Sequence, residues 1–109
     1  MQPWFWLSIA VIAEVFATIS LKASDGLTKI TQVFIVIIGY SIAFIALAKV
    51  LQVLPVAIIY AIWSGLGIAL VALAGWFIFG EKLGVTEIIG IFLIIIGIVV
   101  LKGFPGDLN

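Results

Sequence analysis

Residues 4–21 read Trp4-Phe5-Trp6-Leu7-Ser8-Ile9-Ala10-Val11-Ile12-Ala13-Glu14-Val15-Phe16-Ala17-Thr18-Ile19-Ser20-Leu21, an apolar run interrupted by one carboxylate. At about 1.5 Å of rise per residue, a helix over this run reaches about 27 Å, close to the hydrocarbon thickness of a bilayer. A secretory signal carries a basic n-region and a shorter apolar core ahead of small residues. Here only Met1, Gln2 and Pro3 precede the run, so it is expected to be a retained membrane span.

Three further apolar stretches follow, separated by short polar joints. Lys22-Ala23-Ser24-Asp25-Gly26-Leu27-Thr28-Lys29 ends the first, with Gly26 as a helix stop. The second span is expected over 31–48, closed by Lys49, whose stem can snorkel to the interface. Pro55 opens the third, 55–79, at a position where a missing N–H costs nothing. Gly65, Gly67 and Gly75 lie inside that span, and a hinge is expected at Gly65 and Gly67. After Gly80-Glu81-Lys82-Leu83-Gly84, Thr86 is expected to cap and Glu87 to favour the start of a fourth span over 86–101. Lys102 to Asn109 forms a short polar tail.

Composition points the same way. Of 109 residues, 66% are hydrophobic and 9% charged, with a mean hydropathy of +1.49. A water-soluble domain of this size leaves too much of its chain at the surface to hide that much apolar area. The expected fold class is therefore all-α, with four transmembrane helices forming one integral membrane domain over 1–109. Five lysines balance five acids, and arginine and histidine are absent, which argues against a nucleic-acid surface and against a histidine proton relay. Without cysteine there are no disulfides, thiol nucleophiles or thiolate metal sites. No enzyme activity, cofactor or metal is expected.

Joints this short make successive helices antiparallel. Lys49 and Lys102 then fall on one side of the membrane, and Lys22, Lys29 and Lys82 on the other. So even a balance gives little orientation signal, and the chain is expected to insert either way up. Two copies in opposite orientations would supply by assembly the inverted repeat that larger transporters carry within one chain, so an antiparallel homodimer is expected.

Glu14 stands near the middle of the first span. A charged acid at helix centre costs on the order of 2.5–3.5 kcal/mol to insert, and intramembrane ionisable groups are functional by default. The structural alternative is a permanently protonated Glu14 that hydrogen-bonds a neighbouring helix. As an ion it attracts a cation, so proton and cation would compete for one site. Ala10, Ala17 and Thr18 share its helical face and leave room beside the carboxylate, although small-residue faces are also plain packing seams.

On the third span Tyr60, Trp63, Ser64 and Gly67 share one face. Aromatic faces hold organic cations, and the Tyr60 hydroxyl can hydrogen-bond a carboxylate. An interfacial belt is the alternative for Tyr60 and Trp63, but Trp63 lies too deep for one; Trp4, Trp6 and Trp76 sit nearer span ends and read as interface anchors. Tyr40, central in the second span, is either pocket lining or packing. Gly90 and Gly97 lie seven apart on a face of isoleucine and leucine and are expected to make a subunit contact.

Ala13-Glu14-Val15, the joint Leu21-Lys22-Ala23-Ser24-Asp25-Gly26 and Pro55-Val56-Ala57-Ile58-Ile59-Tyr60-Ala61-Ile62-Trp63-Ser64-Gly65 together resemble the small multidrug resistance transporters, over essentially the whole chain. The resemblance implies an antiparallel homodimer in the cell's inner (plasma) membrane that exports organic cations in exchange for protons. It further implies that the paired Glu14 residues are the shared site, that Tyr60 and Trp63 close it, and that the fourth helix makes dimer contacts. Ala57 departs from the family pattern, which usually has glycine there; an added methyl group bears on helix contact and on bending. Guanidinium exporters of the family typically carry tryptophan where Ala17 stands, so this chain resembles the multidrug, quaternary-ammonium branch.

The expected function is proton-coupled export of hydrophobic or quaternary-ammonium cations by alternating access, with lipid, substrate cation, proton and a second copy of the chain as partners. Two alternatives stay open. One is a guanidinium or polyamine exporter, alone or as half of a heterodimer. The other is a structural or regulatory membrane subunit, including a proton-carrying ring subunit, for which the Tyr60 and Trp63 face has no evident task.

Overall fold

A computed structural model describes residues 2–103, with the backbone alone for Gln2 and Lys102. The polar tail expected beyond Lys102 lies almost wholly outside the described residues. The described residues hold four α-helices: α1 (Gln2–Ala23), α2 (Ile30–Leu51), α3 (Val56–Phe79) and α4 (Val85–Lys102). They form two helical hairpins, α1 with α2 and α3 with α4.

Three helices are long and apolar enough to cross a membrane: Pro3–Ala23, Ile30–Leu51 and Val56–Phe79. The fourth is shorter, with an apolar stretch Val85–Leu101, and its 18 residues rise about 27 Å. Outward faces carry Phe16, Phe34, Ile45, Phe77, Phe92 and Val99, each more than half exposed. In water such a surface would drive aggregation; in hydrocarbon it is the matching solvent-facing layer.

Within the first hairpin the buried apolar positions of α1 are Leu7, Ala10, Val11 and Ala17, and those of α2 are Val36, Ala43, Ala46, Leu47 and Val50. Both sets recur at helical spacing. Lipid removes the hydrophobic drive between helices, so close van der Waals contact between small residues carries the association. The tightest point is Gly39, where an added Cβ would come within 2.8 Å of Ala17 Cβ and 3.2 Å of the Ala13 carbonyl oxygen.

Ser24, fully buried, organises the α1–α2 joint. Its hydroxyl donates to the Leu21 carbonyl at 2.7 Å and accepts from Leu27 N–H at 2.9 Å. Its carbonyl accepts from the N–H groups of Thr28 and Lys29, at 2.9 and 3.0 Å. The turn holds Asp25, Gly26 and Leu27 at φ of 53°, 70° and 71°. Only glycine adopts that left-handed region without strain, so Gly26 is the natural occupant and Leu27 is strained.

In the second hairpin α3 runs unbroken through Gly65 and Gly67. A Cβ on Gly65 would lie 2.6 Å from Ile98 Cδ1 and 2.9 Å from Ile94 Cγ2, so this glycine seats α3 on α4. Pro55 is the residue before the first helical turn, with extended backbone (φ −63°, ψ 140°). Gly80 ends α3 in the left-handed conformation, φ 68°, with its N–H directed to the Gly75 carbonyl. Gly84, not Thr86, is the residue preceding α4, and no side-chain cap bonds there. Glu87 does lie in the first turn of α4, where its charge suits the helix dipole.

Candidate functional site

Glu14 and Thr18 are one turn apart on α1, so their side chains meet without help from another element. The Thr18 hydroxyl donates to Glu14 Oε2 at 2.7 Å. The same Thr18 oxygen lies 2.7 Å from the Tyr40 hydroxyl of α2. A threonine hydroxyl has one proton, so with that proton on the carboxylate the Tyr40 hydroxyl is the donor to Thr18. The chain Tyr40–Thr18–Glu14 therefore directs two successive protons toward one carboxylate oxygen.

The other oxygen is different. Glu14 Oε1 is buried and has no hydrogen-bond partner among the described residues. An acceptor left unmade in a low-dielectric setting costs about 1–3 kcal/mol, more when the group is charged. A proton on Oε1, or a cation beside it, removes that cost. Ala10 and Ala17, both fully buried, flank Glu14 on the same helix face.

The titratable side chains of α2 are Tyr40 and Lys49, and the Lys49 ammonium lies over the Trp6 ring, 5.3 Å from its centroid. That contact places Trp6 and Lys49 together at one end of the hairpin, in keeping with an interface anchor. Among the described residues no three His, Cys, Asp or Glu side chains gather as a metal site would require.

The second hairpin holds the aromatic candidates. Tyr60 and Trp63 form a tilted ring pair, centroids 6.0 Å apart at 30°. Tyr60 is exposed and Ser64 half-buried one turn further along α3. Ala57, the departure from the family pattern, is exposed in the first turn of α3. Gly90 and Gly97 of α4 have open space where a Cβ would point, with nothing described within 4 Å of either position. Gly97 also lines an apolar groove with Ala61, Ile94 and Ile98.

Of the candidates read from sequence, Glu14, Thr18, Tyr40, Ala10 and Ala17 gather in the first hairpin. Tyr60, Trp63, Ser64, Gly65, Gly67, Gly90 and Gly97 belong to the second. One residue at the carboxylate went unread: Gly39, whose bare backbone permits the α1–α2 approach that brings Tyr40 to Thr18. Its signal was present, since a glycine at mid-helix forfeits about 1 kcal/mol against alanine and asks for a packing reason.

The model of the Small Multidrug Resistance protein family matches residues 2–94. The quaternary ammonium compound-resistance protein QacE of Escherichia coli is 46% identical over 102 residues, which is 94% of this chain and 93% of the relative. The multidrug transporter PA4990 of Pseudomonas aeruginosa is 46% identical over 104 residues, 95% of this chain and 94% of the relative. The multidrug transporter EmrE of Escherichia coli K12 is 41% identical over 102 residues, 94% of this chain and 93% of the relative. With these matches running nearly end to end over four helices that suit a multi-pass membrane protein, the chain belongs to the small multidrug resistance family.

Proposed function

We propose that this chain is a proton-coupled antiporter that exports hydrophobic or quaternary-ammonium cations. The observation that carries the proposal is the half-satisfied carboxylate: Thr18 holds Glu14 Oε2 while buried Oε1 lacks a partner. Either a proton or an organic cation completes that group, and one excludes the other. Relatives named as multidrug and quaternary ammonium resistance proteins support the substrate class.

Coupling follows from competition with one added restriction. Two antiparallel copies contribute their Glu14 residues to one site, and the dimer reorients between the two sides of the membrane only when that site holds protons or cation. Protons from outside displace the cation outward, and a cation from inside displaces the protons inward. In this scheme Tyr60, Trp63 and Ser64 wall the cation, Tyr40 and Thr18 hold the carboxylate, Gly65 and Gly67 take up the bending, and Gly90 and Gly97 make the subunit contact.

Ala17 speaks against the guanidinium alternative. It is fully buried and pressed toward Gly39, so an indole at that position has no room without separating α1 from α2. The test is proton release from purified protein on adding a quaternary ammonium compound or guanidinium, followed by cation uptake into reconstituted vesicles driven by a proton gradient. Release with the quaternary ammonium compound alone is expected, and Glu14→Gln is expected to fold yet lose both signals. Proton-driven uptake that survives in Glu14→Gln refutes the proposal.

A further inference from the structure

The hydrogen bonds at Glu14 depend on how closely α2 crosses α1. A Cβ on Gly39 would lie 2.8 Å from Ala17 Cβ, 3.2 Å from the Ala13 carbonyl oxygen and 3.3 Å from Ala17 Cα. None of these atoms is the free end of a flexible side chain. All belong to the rigid cylinder of α1, so any side chain at 39 has to move one helix off the other. The next residue, Tyr40, reaches Thr18 at 2.7 Å, and Thr18 reaches Glu14 at 2.7 Å.

We propose that Gly39 is a positioning residue for Glu14: its bare backbone, seated on Ala17, keeps Tyr40 within reach of Thr18 and so keeps the Thr18 proton on the carboxylate. The inference rests on the reading of Glu14 as the exchange group. Its chemistry is a matter of donor order. Thr18 gives its one proton to Glu14 while its lone pairs accept from Tyr40. If Tyr40 withdraws, that support is lost, and a threonine in a helix has another acceptor at hand, the backbone carbonyl one turn back. A shift of a few tenths of an ångström at Gly39 is then felt at Glu14 Oε2. In the low dielectric of the span, linked hydrogen bonds of this kind strengthen one another, so losing the outer one weakens the inner.

The test uses the full chain in lipid nanodiscs with two readouts: the side-chain resonance of Tyr40 in tyrosine-labelled protein, identified by its loss in Tyr40→Phe, and the affinity for ethidium, a fluorescent aromatic quaternary cation. Gly39→Ala is expected to move the Tyr40 resonance and to weaken ethidium about tenfold, the worth of a hydrogen bond to a charged group. Ala17→Gly combined with Gly39→Ala removes the 2.8 Å clash and leaves backbone approaches of 3.2 and 3.3 Å that a few tenths of an ångström relieve, so both readouts are expected to return most of the way, the affinity to within about threefold. In a Tyr40→Phe background, Gly39→Ala is expected to cost less than about twofold, a non-additivity that a packing role alone does not produce.

A Tyr40 resonance unmoved by Gly39→Ala overturns the inference, as does a double variant no better than the single. Should Gly39→Ala fail to fold, the double variant decides: a native Tyr40 resonance supports the inference and a displaced one overturns it. Native protein that binds no ethidium refutes the functional reading instead, and the Tyr40 resonance still decides the role of Gly39.

Discussion

Thr18 stands one turn beyond Glu14 and supplies the one hydrogen bond that the described residues make to it. Thr18→Val keeps the volume and removes the donor. About tenfold weaker binding of quaternary cations is expected, read by ethidium titration, with the fold intact by circular dichroism. Trp63 is ring-paired with Tyr60, and its proposed role is to meet the cation with its face. Trp63→Ala is expected to weaken aromatic cations by up to about thirtyfold and tetraalkyl ones less, by cation–π loss, in a competition series. In the proposed exchange the proton and the cation share one carboxylate, so binding to the native chain should weaken as pH falls, while Glu14→Gln shows no such trend. The inventory of the carboxylate was legible in part. Glu14 is conspicuous in an apolar run, and Thr18 follows from the helical period. The Tyr40 partner and the role of Gly39 were not legible, because each depends on the crossing of two helices, which one-dimensional spacing does not encode.

At the level of elements, the helices run a few residues past the apolar stretches. α1 continues to Ala23 beyond Lys22, and α2 to Leu51 beyond Lys49. A lysine ends a hydropathy window, yet its stem keeps to apolar surface and its backbone continues the helix. The stop at Gly26 was readable from glycine itself, but Asp25 and Leu27 share its left-handed backbone with nothing in their identity to announce it. What imposes the turn is Ser24, which bonds both to the end of α1 and to the far side of the joint. Two predictions follow from that geometry, both checked by thermal unfolding in a fixed detergent. Leu27→Gly is expected to stabilise by about 0.5–1 kcal/mol, because relief of left-handed strain exceeds the added freedom of the unfolded chain. Ser24→Ala is expected to destabilise by about 1–3 kcal/mol, since it removes both bonds of the buried Ser24 hydroxyl, to the Leu21 carbonyl and from the Leu27 N–H. For α3, the apolar run was clear, and so was the chance of a special role for Gly65. Its contact with Ile94 and Ile98 on α4 is again a property of two helices together.

For the whole molecule the decisive quantity is the lysine balance, two against three, between the two sides that four alternating spans are expected to create. Positive charge in short loops sets orientation, so a difference of one lysine leaves both insertions comparable. In the proposed antiparallel pair a single gene product supplies both copies, and each would meet a partner whose open α4 face at Gly90 and Gly97 is its own in reverse. The balance is adjustable by changes at the joints and helix ends, outside the apolar middle of every span. Lys22, Lys29 and Lys82 each replaced by glutamine leave none against Lys49 and Lys102, and Lys49→Gln with Lys102→Gln leaves none against three. Each set is expected to commit the chain to one orientation, opposite in the two cases, as read by accessibility of single cysteines introduced into the α1–α2 joint. Each alone should lose resistance to quaternary ammonium compounds, and the two expressed together should regain it, because only the mixture holds both orientations. Resistance conferred by either set alone, with orientation shown to be uniform, would rule out the antiparallel pair and leave a parallel assembly, in which the two Glu14 residues face the same way.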